Sequence, residues 1–160
     1  MTTNEAKSIP NRLFFRLFQT GNTLQRQVQS EFGISTVQWA VLGALSREGA
    51  EQGVSFNELT EYLVVSRQNL DGVLKRLERD NHVVRVPHPD DGRARLVLLT
   101  ASGLRFWQSL QGRIYEFYGQ ALQGFSFDDT VGLLHLLNKL NTDLSKVDLG
   151  GDHPPTSNED

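Results

Sequence analysis

Ser66, Arg67, Gln68 and Asn69 stand together, followed by Asp71, Gly72, Lys75, Arg76 and Arg79. A basic strand residue, Arg85, comes next, and then Arg93 and Arg95 after the turn-forming run Pro87-His-Pro-Asp-Asp-Gly92. These residue types suit the recognition of a DNA duplex. Arginine can pair with guanine, and glutamine or asparagine with adenine, through two hydrogen bonds each. Lys75, Arg76 and Arg79 fall on the polar side of one helical stretch, where they can reach phosphates. Arg93 and Arg95 would lie at a minor groove, and narrow A·T-rich grooves attract arginine. Gly72 costs roughly 1 kcal/mol against alanine inside a helix. One use for it is close approach of another backbone or of DNA. Asp71 beside phosphates is unfavourable without a partner, so it reads as a local salt-bridge partner or a base reader.

The net charge of −3 hides this pattern. Residues 148–160 carry Asp148, Asp152, Glu159 and Asp160 with no lysine or arginine, and the rest of the chain balances 16 basic against 15 acidic groups. Seven of the 16 basic residues lie between Ser66 and Arg95, beside five acids. Taken alone, such an enrichment is more often a solvated surface than a phosphate-binding face.

Hydrophobic spacing supplies the elements that would position these groups. Residues 9–31 read as a first helix, with Pro10 in its first turn and Leu13/Phe14, Leu17/Phe18, Leu24 and Val28 on one face. Ser35-Thr-Val-Gln38 is a capping-box pattern that opens a second helix through Arg47. Val54 begins a very short strand, and Ser55-Phe-Asn-Glu58 opens a third helix to Leu63. Ser66 is a plausible N-cap for a fourth helix running to about Asn81. Val83–Pro87 and Arg95–Thr100 read as two strands of a hairpin with a long charged tip. Two helices follow, with an apolar seam from Leu104 to Ala121 and leucines from Leu133 to Leu144. The fold class is therefore mainly α with a small β wing (α+β): a winged helix-turn-helix lobe over 35–100 with helical regions over 9–31 and 101–147. The acidic stretch 148–160 has no large apolar residue after Leu149 and is expected to be disordered.

The sequence resembles the MarR family (multiple antibiotic resistance regulators) of winged-helix transcription factors across residues 10–147. The specific segment is Asp91-Gly-Arg93-Ala-Arg95-Leu-Val97-Leu-Leu99-Thr100-Ala-Ser-Gly103, which follows the family's wing pattern. Gly33 to Leu42 matches its second-helix opening, and Ser66 to Glu78 its recognition helix. Asn81 stands where the family usually has glycine at a helix end, and asparagine also tolerates a left-handed backbone. The resemblance implies a homodimer with residues 9–31 and 101–147 as its dimerisation region, probing double-stranded DNA with paired recognition helices and acting as a repressor of a near-palindromic operator. It implies DNA contacts from Ser66, Arg67, Gln68, Asn69, Gly72, Lys75, Arg76, Arg93 and Arg95. Arg95 is as readily a brace for the wing against Asp90 or Asp91. The family also implies a small aromatic or phenolic acid as effector, at a pocket where Arg12, Phe15, Arg16 and Gln19 face Gln38, Trp39 and Phe106. An arginine beside aromatic rings suits a planar carboxylate. Equally, Phe15 and Trp39 serve as core and Arg16 as surface.

Other classes receive less support. The absence of cysteine excludes disulfides and thiolate metal sites. His82, His88, Asp90 and Asp91 do not make a convincing metal set, so no metal and no cofactor is expected. The sequence contains no nucleophile elbow, phosphate-binding glycine loop or His-Glu metal helix, which argues against an enzyme. Apolar runs are too short for a membrane span, and the N-terminal residues lack a signal peptide's apolar stretch, so a cytoplasmic protein with no membrane partner is expected. A winged helix used for protein contacts, without DNA binding, remains the alternative.

Overall fold

The computed structural model describes residues 3–151, with side chains from Ser8 onward. The elements follow in the order α1 (Thr3–Phe32), α2 (Thr36–Ser46), β1 (Val54–Ser55), α3 (Phe56–Leu63), α4 (Arg67–Arg79), β2 (Val83–Pro87), β3 (Arg95–Leu99), α5 (Ala101–Ala121) and α6 (Phe127–Leu144). Four of the six helices among the described residues start at a serine cap. Ser35, Ser55 and Ser126 each close a capping box with Gln38, Glu58 and Asp129. Ser66 caps α4 by accepting from the Asn69 backbone N–H at 3.1 Å.

Two boundaries differ from expectation by more than one residue. α1 begins at Thr3, so Pro10 lies inside the helix and not in its first turn. Proline removes one backbone donor, and a helix of 30 residues absorbs that single loss. α4 ends at Arg79, two residues early, because Asn81 turns left-handed at φ 60°. The Asn81 N–H then donates to the Glu78 carbonyl at 2.9 Å and the His82 N–H to the Leu77 carbonyl at 2.8 Å, a Schellman closure.

The sheet has strand order β1-β3-β2 and is antiparallel throughout. Val97 in the central strand pairs with Val54 on one side and Arg85 on the other. Leu42, Leu59, Leu70, Leu74, Leu77 and Val97 are fully buried and fasten α2, α3 and α4 to the sheet. The apolar stripe of α4 therefore faces inward, which leaves its polar side outward.

The chain divides into two compact units, one up to Ile114 and one from Tyr115. In the first, α1 leaves Leu13, Phe14, Leu17, Phe18 and Leu24 exposed, and the start of α5 buries Gly103 and Leu110. In the second, α6 buries none of its residues, and Val131, Leu134 and Leu137 are exposed. The acidic stretch expected to be disordered lies, from residue 152, outside the described residues. Among the described residues no helix is long and apolar enough to cross a membrane.

Candidate nucleic-acid interface

The first turns of α4, the start of α3 and the wing enclose a cleft of about 730 Å³. Arg67 and Gln68 line it from α4, Arg93 and Arg95 from the wing, and Phe56 and Asn57 from α3. Four arginines (Arg67, Arg85, Arg93, Arg95) and two aspartates (Asp71, Asp91) are among its lining residues. Ser66, Gln68 and Asn69 are exposed beside Arg67, as are Lys75 and Arg76 further along the same face.

Arg67 is held in place from below. Its guanidinium carbon sits 4.8 Å from the centroid of the Phe56 ring, and its Nη1 donates to Asn57. A cation over an aromatic face gains modest energy and loses rotational freedom. The first residue of α4 therefore presents its free donors outward from a fixed base.

The wing tip is organised by Asp91. Its Oδ1 accepts from the Arg93 backbone N–H at 3.0 Å, and its carbonyl accepts from Ala94 at 3.0 Å. His88 closes the loop by donating from its backbone to Ala94 at 3.0 Å, and its Nδ1 accepts from the Asp90 N–H at 3.1 Å. This engages the side chains of His88 and Asp91 and the backbone N–H of Asp90 in turn hydrogen bonds. Arg93 and Arg95 are exposed and enter no ion pair among the described residues. The brace between Arg95 and Asp90 or Asp91 is not formed, since Asp91 turns its carboxylate to the backbone of Arg93.

Asp71 resolves as a salt-bridge partner. Its Oδ1 accepts from Arg85 at 2.6 Å and its Oδ2 from Lys75 at 2.9 Å. Hydrogen bonds from Arg85, then from Lys75, hold its carboxyl below the usual carboxylate range. Burial opposes the charge of Arg85, yet the bonds to Asp71 and Glu78 outweigh it and raise the guanidinium above its ordinary value. Lys75 thus spends part of its charge on the same helix, one turn away. Around Gly72 the structure shows open space: an added Cβ would meet nothing within 4 Å. Packing within the chain does not demand that glycine.

Local spacing exposes the Asp71–Lys75 pair but not Arg85, Glu78, Phe56 or Asn57. Arg85 meets Asp71 across 14 positions and Arg67 meets Asn57 across ten, so both contacts belong to tertiary packing. An arginine on the strand that follows two acids seven positions apart is the available signal.

A family model described as the MarR family matches residues 32–94. The transcriptional activatory protein BadR of Rhodopseudomonas palustris is 47% identical over 147 residues, covering 89% of this chain and 83% of that protein. The chain belongs to the MarR family. It is a MarR-type, DNA-binding transcriptional regulator and not an enzyme. Among solved structures, the MarR-family fold recurs in the PcaV transcriptional regulator from Streptomyces coelicolor in complex with its natural ligand. That chain shows a TM-score of 0.73 and 28% identity, covering 90% of this chain and 99% of its own. A MarR mutant from E. coli complexed with operator DNA gives a TM-score of 0.70 and 26% identity, covering 84% and 95%.

The residues expected to hold an effector in this MarR-family chain separate into two groups. Arg12, Phe15, Arg16 and Gln19 line a groove of about 270 Å³ on α1 together with Asn11. Phe15 is exposed, and Arg16 donates to Gln19 at 3.2 Å. Gln38, Trp39 and Phe106 do not line that groove. Gln38 accepts from the Ser35 N–H at 2.9 Å in the capping box. Phe106 stacks on His82 with centroids 4.3 Å apart. The Nε1 donor of Trp39 is buried with no partner among the described residues.

Proposed function

We propose that this regulator acts as a homodimer on a near-palindromic operator, with α4 in the major groove and the wing in the flanking minor groove. The observation that carries the reading is the shared cleft in which Arg67 and Gln68 on α4 meet the unpaired Arg93 and Arg95 of the wing. Ser66, Asn69, Gly72, Lys75 and Arg76 complete the face. Base-edge donors at a helix start and cations on a β hairpin are the two contact types that set register and sequence on a duplex. α1, α5 and α6 form the dimer layer in this reading, supported by the exposed apolar residues of α1 and α6. A two-fold dimer reads half-sites about one helical turn, ~10 bp, apart. In this reading the protein is cytoplasmic.

The effector in this reading is a small aromatic or phenolic acid. Arg12 and Arg16 beside Phe15 on the α1 groove supply charge and an aromatic face for a planar carboxylate. PcaV, 28% identical, was solved with its natural ligand, which supports ligand responsiveness. The sign of regulation follows from where the operator lies against its promoter. Repression is the expectation from the sequence, whereas the 47% identical BadR is named an activator.

Fluorescence anisotropy with duplexes selected by the purified full chain tests the DNA reading across a salt series. A steep loss of affinity with salt and a preference for one palindrome are expected. Equal binding to any sequence, or none, removes it. Sedimentation of the free protein reads the dimer, and a reporter gene behind the selected operator reads the sign. Calorimetric titration with a panel of aromatic acids reads the effector. No heat from any acid, together with unchanged operator release in Arg16→Ala, ends that part.

A further inference from the structure

Arg85 stands on β2 with its side chain only 20% exposed. Its Nη1 donates to Asp71 and its Nε to Glu78, both on α4. Those acids are seven positions apart, two helical turns along one face. The donors of a guanidinium are fixed in one plane, so two carboxylate partners set its orientation as well as its position. On the strand side, Arg85 pairs in register with Val97 of β3, two residues from Arg95. A short chain of fixed contacts therefore leads from α4 through Arg85 to the strands that carry the wing tip. The cluster Asp71, Lys75, Glu78 and Arg85 sums to zero charge, so it adds nothing to the attraction for phosphates.

We propose that Arg85 is a positioning residue for DNA recognition: by clamping Asp71 and Glu78 it sets the distance and tilt of Arg93 and Arg95 relative to α4, so that one half-site can be gripped in both grooves at once. The inference rests on the DNA reading given above and adds to it a residue that touches no DNA. Without the clamp, α4 still enters its groove, but the wing arginines are no longer delivered to theirs.

A double-mutant cycle on the full-length protein tests this, using the selected operator duplex at one salt concentration and hydroxyl-radical footprints alongside. In the wild type, Arg93→Ala weakens binding about tenfold, the loss of one good contact. In an Arg85→Gln background, the same change weakens it less than about twofold, because the wing contact is already gone. The footprint of Arg85→Gln keeps the protections over the α4 sites and loses the flanking minor-groove ones. Arg85→Lys keeps the charge but not the planar fork, and fails to restore them. Full additivity of Arg93→Ala and Arg85→Gln, or retained flanking protection, overturns the proposal and leaves the DNA reading standing. A wild-type protein that protects no duplex overturns that reading and the proposal with it. If Arg85→Gln does not fold, Glu78→Gln removes one of the two anchors and goes through the same cycle, with the same outcomes deciding.

Discussion

A Cβ placed on Gly103 would stand 1.9 Å from the carbonyl oxygen of His82. The start of α5 therefore lies directly against the junction between α4 and β2. That carbonyl already accepts from the Thr100 N–H at 3.0 Å, and Thr100 Oγ1 donates to the Asn81 carbonyl at 2.6 Å. Gly103→Ala has to break this junction, and overpacking of this kind costs about 1–3 kcal/mol or more. Urea unfolding at fixed protein concentration should show a loss at the upper end of that range. A wild-type midpoint would show that the contact yields freely.

Gly72 makes the opposite case. With open space around it, Gly72→Ala should stabilise the free protein by about 0.5–1 kcal/mol through helix propensity. If the duplex backbone is what approaches this position, the same variant binds operator more weakly. Unfolding and anisotropy measured together separate the two. Gained stability with unchanged affinity would mean that nothing approaches Gly72 in the complex.

Asn57 accepts a hydrogen bond from Arg67 of α4. Asn57→Ala should leave stability within about 0.5 kcal/mol, as for an exposed polar residue. Operator affinity should fall about threefold to tenfold because Arg67 loses half of its support, leaving the Phe56 ring as the other half. Anisotropy on the selected duplex checks it, and an unchanged dissociation constant would show that Arg67 orients itself.

Val64 links α3 to α4 in a left-handed conformation, φ 53° and ψ 50°. This costs an L-residue about 1–2 kcal/mol, and the side chain is 73% exposed, so little packing compensates. Val64→Gly should raise stability by about 0.5–1 kcal/mol after glycine's own entropic penalty. A lower unfolding midpoint in the glycine variant would mean that the valine packs more than its exposure implies.

Three carboxyls sit below their ordinary values: Glu58 chiefly through the Ser55 backbone N–H, Asp71 through Arg85, and Asp129 through the Ser126 backbone N–H. A lowered folded value means that the native state binds the proton less tightly than the unfolded chain. The stabilisation is present above the unfolded value near 4 and is lost as pH falls through the lower folded value. These groups predict a flat urea midpoint from neutral pH down to about 5, then a decline below about 4. Glu58→Gln should narrow the gap between the midpoints at neutral and acid pH. An unchanged gap would remove Glu58 from the account.

Local grammar made most of the fold legible. Ser35, Ser55, Ser66 and Ser126 mark four helix starts that the structure keeps, and Pro87 with Gly92 frames the wing. The start of α1 was not legible, because residues before Pro10 carry no apolar stripe and proline reads as a beginning. The site was legible where contacts are made outward, as at Arg67, Gln68, Arg93 and Arg95, since their types declare their chemistry. It was hidden where contacts are made inward. Arg85 looked like one more cation of a basic stretch until β2 was laid beside α4. Gln38 looked available for a ligand, although its side chain serves the helix start it belongs to.

Ser55 closes β1, pairing with Leu96 of the central strand, and the same residue caps α3. One amino acid thus welds the hinge side of the β finger to the scaffold beneath α4, while Arg85 welds the far side. Both edges of the β finger are thus fastened to helices of the same lobe. A change that frees the finger from a duplex has to break one of these two welds or carry the helices along with it.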